Sequence, residues 1–133
     1  MKHTVLFLCP HNAAKSVMAS EYFNKRSEEL GLNAHAFSAG TEPDEAAAPQ
    51  VVALLDTEGF YGTVHKPRKV TGEDVEKASL VVSIGCDVQK LPLSETPLSS
   101  WDDVPMPSRD LAGAWQRIRE HVNRLLTNLQ TEK

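Results

Sequence analysis

The sequence contains no apolar run approaching the roughly 18 residues of a membrane-spanning helix, which excludes such a helix. Nor is there a basic excess. Fourteen Lys and Arg stand against 18 Asp and Glu, a formal charge of −4, where a general nucleic-acid binder would show a basic face. Neither a membrane nor a nucleic acid is therefore expected as a partner. Cysteine is scarce: Cys9 and Cys86 alone make a poor disulfide framework. They are either core thiols or a catalytic pair that is oxidised transiently. The histidines (His3, His11, His35, His65 and His121) are scattered and lack the close spacing of zinc ligands. There is no internal repeat and no low-complexity segment. The opening MKHTVLFLCP is too short and too soon polar for a signal peptide, so a cytoplasmic location is expected. What is present is an ordinary balance, 41% hydrophobic and 24% charged. The 133 residues suit one domain over 1–133 with a sizeable core.

Thr4–Cys9 (TVLFLC) is a continuous apolar run and predicts a strand buried on both faces. Ala13–Leu30 predicts a helix, with Met18, Tyr22 and Phe23 at helical spacing and Gly31 as a stop. Asn33–Ser38 alternates and predicts a second strand. Pro49 suits a first helical position, and Val51, Val52, Leu54 and Leu55 carry an apolar face towards Gly59. Gly62–Lys69 is polar and irregular. Thr71–Lys77 reads as a short helix capped by Thr71, with Asp74 three residues on. Leu80–Ile84 predicts a third buried strand, and a short one is expected near Leu98–Trp101. Ser108 is expected to cap a last helix in which Trp115, Ile118, Val122, Leu125 and Leu129 repeat at 3,4,3,4 spacing. Strands alternating with helices predict an α/β fold, a parallel sheet covered on both faces. Ligands in such folds bind at the carboxyl ends of strands. Cys9 and Cys86 each end one.

Cys9-Pro10-His11-Asn12-Ala13-Ala14-Lys15-Ser16 joins a buried strand to a helix. Such a turn aims backbone N–H groups into one concavity, and the helix start adds positive potential. Those dipoles and a nearby cation favour a thiolate at Cys9. Asn12 can take the left-handed conformation where glycine is lacking, and Ser16 can donate its hydroxyl to the sulfur. Periodicity alone leaves the other reading open, in which Cys9 is a small core residue.

The loop resembles the Cys-x5-Arg-Ser signature of low-molecular-weight tyrosine phosphatases and thiol-dependent arsenate reductases. His11-Asn12 is similar to the reductase branch. The resemblance continues through Ser16, Met18 and Ala19, then Phe37-Ser38-Ala39-Gly40-Thr41-Glu42-Pro43. It runs on through Pro49, Glu58-Gly59, His65-Lys66-Pro67-Arg68, Glu73-Asp74-Val75, Val81-Val82-Ser83-Ile84-Gly85-Cys86-Asp87 and Trp101-Asp102-Asp103-Val104-Pro105. It implies a four-stranded parallel sheet with flanking helices. It implies no metal or organic cofactor, with an external thiol as reductant if the protein is a reductase. Cys9 becomes the nucleophile, and His11, Asn12, Ala13, Ala14 and Lys15 the oxyanion-binding residues.

Three positions depart from the family pattern. Lys15 stands where the family has arginine, so a point charge replaces a planar fork. Pro10 has no N–H to donate. The family's general acid is an aspartate directly before a proline, and Met106-Pro107 takes that place here. Asp103, or after it Asp102, is the expected substitute, unless both are turn or cap residues. No tyrosine follows to wall a phosphotyrosine ring. Cys86 matches the reductase cysteine that attacks the cysteine–arsenate adduct; the alternative is a buried strand-end thiol. The third relay cysteine is missing, its stretch filled by Gln89, Lys90, Leu91 and Leu93. Three readings stand. The first is an arsenate reductase-like enzyme using Cys9, Cys86 and thioredoxin-like or small thiols. The second is a relative that only binds or senses arsenate or phosphate. The third is a phosphatase for phosphomonoesters.

Overall fold

The computed structural model describes residues 2–60, 66–86, 91 and 95–131. Its elements are β1 (His3–Leu8), α1 (Lys15–Glu29), β2 (Ala34–Ala39), α2 (Pro49–Thr57), α3 (Gly72–Lys77), β3 (Leu80–Ser83), β4 (Leu98–Ser100) and α4 (Leu111–Thr131). The strands form one parallel sheet in the order β2-β1-β3-β4. β1 is central because both its faces are apolar. Val5 and Phe7 pack with α1, α2 and α4, while Leu6 and Leu8 pack with Val75 of α3, Val81 and Leu91. Helices therefore cover both faces, as the patterning predicts.

On the larger face the ring of Phe7 lies 5.9 Å from that of Phe23 and 5.5 Å from that of Trp101. α4 buries Trp115, Ile118 and Val122 of its predicted stripe, together with Ala114 and Leu126. Each fully buried side chain of this size contributes about 1.5–3 kcal/mol. Among the described residues no helix is long and apolar enough to cross a membrane.

Element ends differ from the sequence reading in two instructive places. The first helix starts at Lys15 instead of Ala13. Asn12, with φ 49°, turns the chain, and Ala14 (φ −142°) is still outside the helix. The last helix is not capped by Ser108. Asp110 does this, its carboxylate accepting the Gly113 N–H at 2.9 Å. A Cβ on Gly113 would press on that carboxylate, which would have to shift. By contrast Thr71 caps α3 as expected. Its hydroxyl accepts the Asp74 N–H at 3.1 Å, and Asp74 returns the bond to the Thr71 N–H at 2.9 Å. His65, Asp87, Gln89, Lys90 and Leu93 lie outside the described residues.

Candidate active site

β1 delivers Cys9 to the carboxyl edge of the sheet, where it is 3% exposed. Its sulfur lies 2.9 Å from Ser16 Oγ and accepts the Ser16 N–H at 3.3 Å. Hydrogen-bond direction follows from the next neighbour. Asn12 Nδ2, a donor only, bonds Ser16 Oγ at 2.9 Å. The hydroxyl oxygen is thereby an acceptor, and its own proton is left for the sulfur. Cys9 thus faces two donors from Ser16, an arrangement suited to the charged form of sulfur.

The rest of the loop is fixed from outside. Pro10, His11 and Ala13 carbonyls accept the N–H groups of Glu42 (2.7 Å), Asp44 (3.0 Å) and Ala48 (2.9 Å). In a trans peptide the next N–H points opposite to the carbonyl. The amides of His11, Asn12 and Ala14 therefore turn away from the 42–48 segment. Asn12 is fully buried, and its Oδ1 accepts the Arg68 N–H at 3.0 Å. Arg68 in turn grips Asp74 through both guanidinium nitrogens, at 3.0 and 2.9 Å. Burial opposes ionisation of Asp74, but Arg68 and the Thr71 amide outweigh it and hold its carboxyl below the ordinary value. Gly40 fits flat against the loop: a Cβ there would come within 2.7 Å of the Pro10 carbonyl oxygen and 2.9 Å of the Cys9 one.

Cys9, His11, Ala13, Ala14 and Lys15 line a cavity of about 360 Å³. Its other walls are Asp44, Ala48 and Gln50, Gly85 beyond β3, and Met106-Pro107-Ser108 before α4. Lys15 extends across to Gly85, its Nζ 2.6 Å from where a Cβ on that residue would sit. Gly85 has φ 83°, so conformation and contact both suit a residue without a side chain. The ammonium group thus reaches the residue that precedes the second cysteine. Cys86 is half-buried and its N–H donates to Ser83 Oγ at 3.3 Å. Burial, followed by the nearby charge of Cys9, pushes the Cys86 thiol up to about 11, against the Ser83 hydroxyl and Lys15. Both cysteines are free.

The expected acids are placed elsewhere. Neither Asp102 nor Asp103 lines the cavity. Asp103 is bonded to His121 Nε2 at 2.7 Å and lies 3.6 Å from Arg117, both on α4. The His121 bond holds its carboxyl below the ordinary value. The physical reason is the path of the segment. Trp101 stacks on His121, with ring centroids 4.7 Å apart and planes at 14°, which sets Asp103 beside α4. Met106 does occupy the cavity wall, 57% exposed. Sequence reasoning overlooked Asp44, the carboxylate that lies in the cavity. Its signal was the acidic run Glu42, Asp44, Glu45 directly after β2, at the edge where ligands bind.

Fold and loop together define a class, a parallel α/β sheet bearing a Cys-x5-Lys-Ser turn at the carboxyl end of its central strand. Residues 4–98 match the family model described as low molecular weight phosphotyrosine protein phosphatase, and the chain belongs to that family. Over 130 residues it is 26% identical to a Halobacterium salinarum protein named "Putative arsenate reductase", covering 95% of this chain and 89% of that protein. It is 30% identical to the arsenate reductase structure from Archaeoglobus fulgidus, with a TM-score of 0.74 over 92% of this chain and 98% of that one. The thioredoxin-dependent arsenate reductase of Corynebacterium glutamicum shares the fold, with a TM-score of 0.82 at 24% identity. That match covers 99% of this chain and 64% of that one.

Proposed function

We propose that the chain is an arsenate reductase in which Cys9 is the nucleophile and Cys86 the resolving thiol. One observation carries this reading. Two free cysteines follow adjacent parallel strands, the charge of Cys9 reaches Cys86, and the Lys15 ammonium lies against Gly85, the neighbour of Cys86. The names of the relatives from Halobacterium salinarum and Archaeoglobus fulgidus support it.

In the first step the Cys9 thiolate attacks dihydrogen arsenate. A sulfur–arsenic bond forms, an arsenic–oxygen bond breaks, and the leaving oxygen departs as water after taking one proton. Arsenic remains pentavalent. Lys15 and the loop amides of His11, Asn12, Ala13 and Ala14 hold the oxyanion. Ser16 holds the sulfur. In the second step Cys86 gives up its proton and attacks the Cys9 sulfur. A disulfide forms, the sulfur–arsenic electron pair stays on arsenic, and arsenite leaves. Two thiols have lost the two electrons that arsenic gains. A dithiol of the thioredoxin type, or two small thiols, restores the pair. Direct bonding needs Cα atoms within about 7 Å. A reducing, cytoplasmic setting suits two free thiols.

A second reading, an oxyanion-binding relative without turnover, is favoured by Met106 standing in the cavity where the family carries its acid. One experiment separates the two. Arsenate is added to the reduced chain, and non-reducing digestion with mass spectrometry follows, with and without thioredoxin. The reductase yields a Cys9–Cys86 disulfide that thioredoxin removes, and Cys86→Ser abolishes thioredoxin-linked turnover. Protection of Cys9 from alkylation with neither that disulfide nor a mixed disulfide with added thiol establishes the binder instead.

A further inference from the structure

Met106 stands where the family has the aspartate that protonates a leaving oxygen, and of the expected substitutes Asp103 is paired with α4 and Asp102 does not line the cavity. The first step nevertheless needs a proton. Among the described residues, the groups in the cavity that titrate or carry charge are Cys9, Lys15, His11 and Asp44. Cys9 is the attacking sulfur. Lys15 is the cation assigned to hold the oxyanion. His11 and Asp44 remain, and they are a pair: His11 Nδ1 lies 3.3 Å from Asp44 Oδ1 and 3.1 Å from the Glu42 carbonyl oxygen.

Both neighbours of Nδ1 are acceptors, and a carbonyl can be nothing else. Nδ1 therefore carries a proton, and proton exchange with a ligand falls to Nε2. The pair is also anchored. The N–H groups of Glu42 and Asp44 bond the Pro10 and His11 carbonyls at 2.7 and 3.0 Å, so carboxylate and ring are tied to the same loop that carries the sulfur. Stability does not explain the pairing. The two side chains are 59% and 54% exposed, and an exposed ion pair contributes little to stability.

We propose that His11 is the general acid of the site, delivering the Nε2 proton to the oxygen that leaves arsenic, with Asp44 as the positioning residue that fixes the ring. The proton goes to the departing hydroxide, which leaves as water, and Nε2 takes a new proton from solvent. This inference rests on the reductase reading.

The test uses the full chain with arsenate, following Cys9–Cys86 disulfide formation in a single turnover by acid quench and mass spectrometry. Protection of Cys9 from alkylation by inorganic phosphate measures oxyanion binding separately. In His11→Gln the disulfide rate should fall about 100-fold or more, the span of general acid catalysis. Phosphate protection should stay within about twofold, because the loop amides remain. Added imidazole should restore part of the rate in His11→Ala, which a purely structural role would not allow. Asp44→Asn should lose about tenfold, less than its partner, and Asp44→Glu should recover most of it. His11→Gln turning over at the wild-type rate overturns the inference while the reductase reading stands. Equal loss of phosphate protection and rate does the same, making His11 a structural residue. A wild-type chain that forms no disulfide with arsenate overturns both.

Discussion

Cys86 gives the proposed chemistry a quantitative handle. Burial pushes its thiol up to about 11, the charge of Cys9 adds to this, and the Ser83 hydroxyl and Lys15 pull the other way. At pH 7 such a thiol is ionised to about one part in 10⁴, against about three parts in 100 for an unperturbed cysteine near 8.5. Alkylation by iodoacetamide proceeds through the thiolate, so Cys86 should label about 300-fold more slowly than a free cysteine. The sign with pH is equally definite. Below the raised value the rate climbs about tenfold per pH unit, so it should rise from pH 7 to 9.5 without levelling, whereas an ordinary thiol levels beyond about 8.5. Two substitutions test the causes separately. Cys9→Ser removes a charge that raises the thiol, so Cys86 should label faster. Lys15→Ala removes one that lowers it, so Cys86 should label more slowly. Peptide mass spectrometry of both cysteines across a pH series reads every arm. A plateau below pH 9 in the wild type, or slower labelling of Cys86 in Cys9→Ser, refutes the coupling between the two thiols.

Further expectations concern the loop and its supports. Gly40→Ala places a Cβ against backbone that cannot give way; it should cost about 1–3 kcal/mol in urea unfolding and abolish phosphate protection of Cys9. Ser16→Ala removes the hydroxyl that donates to the sulfur. The single-turnover rate should fall about 10–100-fold, the equivalent of about 1.5–3 kcal/mol for a hydrogen bond to a charged group. Asp103→Asn, by contrast, should leave arsenate turnover within about twofold, where loss of a general acid would cost about 10²–10⁴. Asp74→Ala breaks the α3 capping box and the Arg68 pair together; a loss of about 2–3 kcal/mol at pH 7 is expected from denaturant titration. Because the folded Asp74 carboxyl is depressed, its contribution is present above the unfolded value of about 3.9. It fades as pH falls through the lower folded value, so the variant should show a flatter acid limb.

The parts of the fold that the sequence disclosed are those written in side-chain periodicity. TVLFLC announces a strand with no solvent face, and the structure leaves Leu6, Phe7 and Leu8 with no exposure. The α4 stripe is legible for the same reason, since a single helix face repeats over twenty residues and more. Where a choice depended on one side chain's direction, sequence was mute. Ser108 and Asp110 are both capping residues by chemistry. The structure alone shows that the Gly113 N–H goes to Asp110. Asp102 and Asp103 stood close enough to Pro107 to suggest a displaced acid. Nothing in their order reveals that Trp101 would stack on His121 and that Asp103 would bond the same ring. Asp44 escaped for the complementary reason. It lies in a loop without periodicity, and only the backbone bonds to Pro10, His11 and Ala13 bring that loop to the sulfur.

The last strand of the sheet has a consequence for behaviour at high concentration. An edge strand displays unpaired backbone groups that can recruit another chain. β4 is only three residues long, Leu98–Ser100. The residue before it is Pro97, whose carbonyl serves β3 through Val81 and which has no N–H to offer outward. Directly after it Trp101 turns inwards and is 8% exposed. A foreign strand seeking to extend the sheet would find a template that ends almost where it begins. The edge beside the second thiol is thereby poorly suited to templated aggregation, whatever redox state the cysteines are in.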